Sequence, residues 1–373
     1  MKARKLLTVV FMLALTCMSC AGENSAEQPE QPAASHKLAN PGATAEAVKL
    51  YNVLWSISGT RTLSGTMACV DWNTREADIV KEWTGHCPAV NTFDFINIHA
   101  SKDVNSKGWI DYSDDTVVKD WAKAGGVVGC MWHWQTLANN GTDYTCTPGS
   151  EPAQTSFDPM CIDAPQSAEY RRLVSDIDQV AGYLGQMQKR GIAVLWRPLH
   201  EGAGNTYEYD GGKAWFWWGI KGADAYKKLW RFLYDRLVNH HKLNNLIWVW
   251  NSQMGDDDWY PGDDVVDVVA RDSYYALQYP LMKEYKELLS KYPTKLIALA
   301  ECGNGDEVKM SSWSDIWQEG SRWCWFMTWY DYDYDNGKAD VHRYADRQWW
   351  TEAFASGTVL DRDQMKALMD NAE

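Results

Sequence analysis

From residue 43 onward, short apolar runs alternate with stretches in which apolar residues recur every three or four positions. Eight of the short runs read as strands, over 62–66, 89–98, 127–134, 193–200, 246–251, 265–272, 296–300 and 323–329. The helical pattern comes first over 43–60, then over 116–124, 168–189, 223–241 and 281–291. Several of these helices run into glycine, at Gly125-Gly126, Gly191 and Gly320, where a left-handed cap turns the chain toward the next strand. Strand and helix alternating about eight times over roughly 300 residues predicts an α/β fold, a single (β/α)8 TIM barrel spanning 43–373 with an N-terminal helix. An open doubly wound sheet is the alternative, but no glycine-rich phosphate fingerprint follows an early strand. No repeat of solenoid period is present.

The chain ahead of this body has a different character. Lys2, Arg4 and Lys5 precede an apolar stretch over 6–18, which has the length of an export signal and is too short to span a bilayer. Ser19-Cys20 resembles a bacterial lipoprotein cleavage site, with Cys20 as the lipidated residue. Cys17 stands where such a box carries leucine, which leaves simple secretion open. Residues 1–19 are therefore read as a signal peptide. Residues 20–42, with Pro29, Pro32 and Pro41 among polar and small residues, are read as a flexible tether. The expected location is outside the cytoplasm, either lipid-anchored at a bacterial membrane, periplasmic or at the cell surface, or secreted. Membrane contact is expected only through the lipid.

Nine cysteines suit an oxidising compartment. Cys146 and Cys161 flank an insertion rich in Gly, Pro and Thr and are the expected disulfide, worth about 3 kcal/mol if unstrained. Cys130, Cys302 and Cys324 lie in apolar runs and read as buried thiols.

Composition narrows the ligand. With 36 Lys and Arg against 50 Asp and Glu, the net charge of −14 would repel a phosphate backbone, so no nucleic-acid partner is expected. The 22 Trp and 19 Tyr far outnumber the 8 Phe. Rings with polar edges in such excess suit a groove for flat, half-wet ligands, sugars first among them, even if about half of them fill the core.

In a barrel of this kind the chemistry sits at the C-terminal ends of the strands. Glu201 and Glu301 end the fourth and seventh runs and would share one rim of the barrel, as a pair of carboxyl groups able to cleave a glycoside. Each has a plainer reading. Glu301 could be half of a buried ion pair with Arg197, and Glu201 a loop charge or a helix N-terminal acceptor. His200 does not begin a zinc-protease helix, because Gly204 stands four residues on. Asp331, Asp333 and Asp335 imitate a calcium loop, yet Asn336 replaces the turn glycine and His342 the bidentate acid. No nucleophile-elbow pattern supports a serine hydrolase.

Taken together, these segments resemble glycoside hydrolase family 26, most closely its β-mannanases. The resemblance runs from Leu63-Ser64-Gly65 through Thr84-Gly85, Pro88-Ala89-Val90 and Trp132-His133-Trp134. It continues in Trp196-Arg197-Pro198-Leu199-His200-Glu201, Trp215-Phe216-Trp217-Trp218-Gly219, Asp272-Ser273-Tyr274, Ala300-Glu301 and Trp329-Tyr330. It implies a retaining endo-β-1,4-mannanase acting on mannan, glucomannan or galactomannan, with Glu201 as acid/base and Glu301 as nucleophile. It implies substrate contacts from His133, His200, Trp215, Phe216, Trp217, Asp272, Tyr274 and Trp329. No cofactor or catalytic metal is required, and a monomer is expected. The loops 202–213 and 135–165 depart from the shortest family versions and border the cleft. A β-1,3-1,4-glucanase or β-1,3-xylanase on the same scaffold, or a non-catalytic glycan-binding lipoprotein, are the alternatives.

Overall fold

The computed structural model describes residues 36–372 apart from 71, 275–279, 306–307 and 332–341. The signal segment, Cys20, most of the tether, Asp333, Asp335 and Asn336 lie outside the described residues.

Eight parallel strands close into a barrel: β1 (Gly65–Met67), β2 (Val90–Asp94), β3 (Val127–Trp132), β4 (Val194–Pro198), β5 (Leu246–Ser252), β6 (Val268–Ser273), β7 (Leu296–Cys302) and β8 (Phe326–Thr328). They pair in chain order, and β8 returns to β1. Helices α1 (Ala45–Ile57), α2 (Arg75–Thr84), α3 (Thr116–Lys123), α4 (Ala168–Lys189), α5 (Ala223–Tyr234), α6 (Pro280–Lys291), α7 (Trp313–Gln318), α8 (Arg347–Ala355) and α9 (Arg362–Asn371) complete the fold.

Strand side chains sort by their period of two. Leu195, Ile247, Val249, Ala270 and Ala298 fill the barrel interior, whereas Trp196, Trp248, Trp250, Val269 and Leu299 face out toward the helices. That outward layer takes up many of the tryptophans. The N-terminal helix α1 closes the N-terminal end of the barrel, packing Leu50, Leu54 and Ile57 against the interior set. The Tyr51 hydroxyl donates to the Asp267 carbonyl at 3.1 Å.

Three expectations need correction. The first predicted strand splits. Thr62–Leu63 pairs outside the barrel with Val359–Leu360, and only Gly65–Met67 enters the wall. Gly65 marks the switch, since a Cβ there would lie 2.6 Å from the Phe326 carbonyl oxygen. The tether ends before residue 42. Leu38 and Asn40 are buried, and the Ala39 amide donates to Asp267 Oδ1 at 2.5 Å, so this stretch belongs to the fold. Finally, Cys146 and Cys161 are free thiols. Backbone pairing closes the insertion instead, through Thr136–Leu137 against Tyr144–Thr145 and through Asn139 N to Gln154 O and Thr155 N to Thr147 O. Burial pushes the two thiols up to about 11 and about 12, away from the thiolate that exchange chemistry needs.

Candidate active site

Arg197 ends the inward set of β4 and organises the barrel mouth. Its Nη1 donates to Asn251 Oδ1 on β5 and, at 2.9 Å, to Asp272 Oδ2 on β6. Its Nη2 donates to Glu301 Oε1 on β7 and contacts Met131 Sδ on β3 at 3.3 Å. A guanidinium carried on one strand and reached from four others sits near the barrel axis. The β7 register against β6 shifts between Leu299 and Glu301, and this bulge re-aims Glu301 into the mouth. The Tyr274 hydroxyl donates to Glu301 Oε2 at 2.6 Å, so both carboxylate oxygens are held.

Glu201 is placed by the backbone. Leu199 and Glu201 both adopt left-handed φ, 50° and 49°, which non-glycine residues hold only when surroundings impose it. Those surroundings are visible: Tyr226 OH donates to the Leu199 carbonyl and Trp218 Nε1 to the His200 carbonyl, each at 2.9 Å. Gln253 Nε2 reaches Glu201 Oε1 at 3.3 Å.

The two glutamates therefore differ in environment. Burial, with the charges of Asp272 and Glu301, pushes Glu201 well above the usual carboxylate range, and Arg197 offsets this only in part. Burial and Glu301 also raise Asp272, against the pull of Arg197 and Asn251. Three carboxyl groups surround one guanidinium, which favours keeping a proton among them. Glu201 is the favoured holder, because the hydrogen bonds of Arg197 go to Asn251, Asp272 and Glu301.

A histidine pair stands beside them. Asp94, the last residue of β2, accepts from the His133 amide at 3.0 Å and from His133 Nδ1 at 2.6 Å. His133 Nε2 meets His200 Nε2 at 3.1 Å. Burial opposes a charge on His133, but Asp94 prevails and holds its pKa above the ordinary histidine value. Burial, then His133 and Arg197, drive His200 well below it. The opposite shifts favour His133 as the protonated partner of the pair and His200 as the neutral one.

Among the aromatic candidates, Phe216 lies 5.1 Å from the His200 ring and Trp329 6.0 Å from the His133 ring, both half-buried. Trp215 is half-buried at the start of the same run. Two predicted contacts are corrected. Trp217 is fully buried, with Nε1 donating to the Trp134 carbonyl at 2.6 Å, so it supports the wall. The Asp272 side chain is only 1% exposed and serves Arg197. Sequence reasoning missed Asp94, Asn251 and Gln253, each a polar residue at or just past the end of an apolar strand run. The calcium-loop resemblance also dissolves: His342 Nε2 pairs with Glu76 at 2.7 Å, and Asp331 accepts from the Arg343 amide. Among the described residues no three His, Cys, Asp or Glu side chains gather as metal ligands, and no helix is long and apolar enough to cross a membrane.

A closed parallel barrel with two glutamates of contrasting environment at the ends of strands four and seven, rimmed by rings, has the architecture of a glycoside hydrolase. The chain belongs to Glycosyl hydrolase family 26, whose model matches residues 39–354. It is 36% identical over 312 residues to a mannan endo-1,4-beta-mannosidase of Thermothelomyces thermophilus, covering 82% of this chain and 59% of that protein. It is 31% identical to mannan endo-1,4-beta-mannosidase A of Piromyces sp, covering 78% and 45%. The chain thus spans about half the length of the curated relatives it matches. The GH26 domain of an endo-beta-mannanase/endo-beta-glucanase from Prevotella bryantii superposes with a TM-score of 0.80 at 36% identity, over 89% of this chain and 99% of that one. A beta-mannanase from a symbiotic protist of the termite Reticulitermes speratus, complexed with gluco-manno-oligosaccharide, gives 0.72 at 30% identity over 89% and 98%.

Proposed function

We propose that this chain is a retaining endo-β-1,4-mannanase acting on mannan, glucomannan or galactomannan. The observation that carries the reading is the contrast between the two glutamates: Glu201 held protonated, Glu301 fixed at both oxygens by Arg197 and Tyr274. Glu201 donates its proton to the glycosidic oxygen as Glu301 attacks the anomeric carbon. The new ester bond removes the negative charge of Glu301, so Glu201 then ionises more readily. It takes a proton from water, which displaces Glu301. His133 and Tyr274 line the cleavage point, the buried His200 is paired with His133, and Phe216, Trp215 and Trp329 stand as rings against the sugars. The names of the relatives favour mannan over β-1,3-1,4-glucan and β-1,3-xylan. A glycan-binding protein without activity would have no use for a proton-holding glutamate opposite a clamped carboxylate.

The test is the anomer released first, read by proton NMR on a panel of mannan, β-1,3-1,4-glucan and β-1,3-xylan. Two inversions give a β product from mannan. An initially α product would mean that the carboxyl groups stand about 6.5–9.5 Å apart around a water, and that Glu301 is a base. Cleavage of glucan or xylan alone would reassign the substrate, and cleavage of none would favour the binding protein.

Export and the lipid anchor on Cys20 belong to the same proposal and rest on the signal-like segment and the Ser19-Cys20 pair. The full-length protein is expected to enter the detergent phase on cloud-point partitioning, and Cys20→Ala to return it to the aqueous phase. Aqueous partitioning of the unaltered protein would refute lipidation.

A further inference from the structure

A groove of about 540 Å³, within the range of small-ligand clefts, lies between the loops that follow β1 and β2 and the start of α3, and none of the residues that line it belongs to the glutamate site. Its floor includes Trp72, whose ring packs among Phe93, Phe95 and Tyr112 at 4.7–5.2 Å. Phe95 in turn contacts Trp196 and Tyr183 of α4, which places this cluster outside the barrel wall. Trp72 is one of four non-glycine residues with positive φ among the described residues, at 64°, a conformation that concentrates at ligand sites.

The wall of the groove is Trp109, 53% exposed. An exposed tryptophan on a floppy loop would mean little, but the backbone of this one is held. Its amide donates to the Ala100 carbonyl at 3.1 Å, and the Lys102 amide donates to the next carbonyl, Ile110, at 2.8 Å. Gly108 sits so close that a Cβ would lie 2.2 Å from the Ala100 oxygen. The ring is therefore presented without further loss of backbone freedom on binding. Asp111 and Asp114 line the same groove. Each uses one oxygen for its own turn, Asp111 Oδ1 with Ser113 and Asp114 Oδ1 with the Thr116 amide, and keeps acceptor capacity on the other. Two carboxylates with no cation in the lining would repel phosphates and uronates. An exposed ring on a held backbone, beside carboxylate oxygens that can accept from hydroxyls, suits a neutral sugar chain.

We propose that the Trp109 groove is a second glycan-binding site, which holds a neutral β-linked polysaccharide on the outer wall while another part of the chain occupies the barrel mouth. The identity of the glycan rests on the mannanase reading; the site itself rests on the groove. Stacking on Trp109 anchors one sugar face, and Asp111 and Asp114 accept its hydroxyls.

Native gels cast with soluble galactomannan test this, with Glu301→Ala as the parent so that the polymer stays intact and short β-1,4-mannooligosaccharide present at the lowest concentration that saturates the mouth, below what a single stacked ring would bind. The parent is expected to remain retarded under that competition. Adding Trp109→Ala should raise the apparent Kd for polymer about tenfold, the order of one stacked ring, and Trp109→Tyr should restore most of it. Equal migration of the parent and its Trp109→Ala derivative would overturn the site, as would complete loss of retardation by competitor alone. If galactomannan does not retard the parent, gels with β-1,3-1,4-glucan and β-1,3-xylan separate the two failures. Trp109-dependent retardation there keeps the site and overturns the mannan assignment, and its absence from all three overturns the site.

Discussion

Glu301→Ala is expected to abolish hydrolysis of both mannan and an activated aryl mannoside, whereas Glu201→Ala loses mannan but still gives a burst of aryl alcohol. The difference follows from what each step requires. A sugar hydroxyl is a poor leaving group and needs the proton that burial and the neighbouring carboxylates keep on Glu201. Without it, cleavage of mannan should fall by about 10²–10⁴-fold. An activated aryl group leaves unaided, so Glu301 still forms the covalent intermediate. Its breakdown then lacks a base, giving a fast first turnover and a slow steady rate. Glu301→Ala removes the attacking atom, so neither substrate reacts and no burst forms. Stopped-flow absorbance of the released alcohol separates the cases. A burst from Glu301→Ala, with Glu201→Ala inert on both substrates, would exchange the two roles.

Much of this site was legible because barrel topology converts position along the chain into position in space. Residues 196–201 close the fourth apolar run and Glu301 closes the seventh, so the strand-end rule brings both glutamates to the mouth without knowledge of any contact. The plainer reading of Glu301, an ion pair with Arg197, also describes a real contact. The error would have been to treat it as an alternative to chemistry, since that pair is what fixes the carboxylate.

Other features lacked a signal of that strength. Trp215 to Trp218 are four rings in a row, and their facing cannot be read from a strand or helix period because Trp217–Gly219 forms a short 3-10 turn. Trp217 turned inward as a result. Asp94 looked like one polar interruption within an apolar run. Its role depends on His133, brought beside it by the pairing of Asp94 with Met131 on the neighbouring strand. The expected Cys146–Cys161 bridge failed for a different reason. Loop spacing can propose a cross-link, but backbone hydrogen bonds close the same insertion without one.

Arg197→Met is expected to produce the largest loss of stability of any single substitution in the mouth, about 3–5 kcal/mol near pH 8. Methionine is apolar and of comparable length, so the barrel stays filled. What disappears is the cation among Asp272, Glu301 and Asn251, which leaves two buried carboxylates without a counter-charge. The sign with pH follows from linkage. A carboxyl group whose folded pKa lies above its unfolded value contributes fully below the unfolded value and loses that contribution as pH rises through the folded one. Glu201 and Asp272 already lie on the raised side in the native protein. Removing the guanidinium pushes Asp272 further up and leaves Glu301 Oε1 without its cationic partner. The stability difference between native protein and variant should therefore be small at pH 5 and widen steadily toward pH 8. Urea unfolding at pH 5, 6.5 and 8 measures it, with Arg197→Lys as the control that keeps a charge but not the planar fork. Activity should fall too, because Arg197 no longer holds Glu301 Oε1 in position for attack on the anomeric carbon. A difference that stays constant across the three pH values would mean that Arg197 acts through packing and hydrogen-bond geometry, and that its charge does not set the protonation of Glu201 and Asp272.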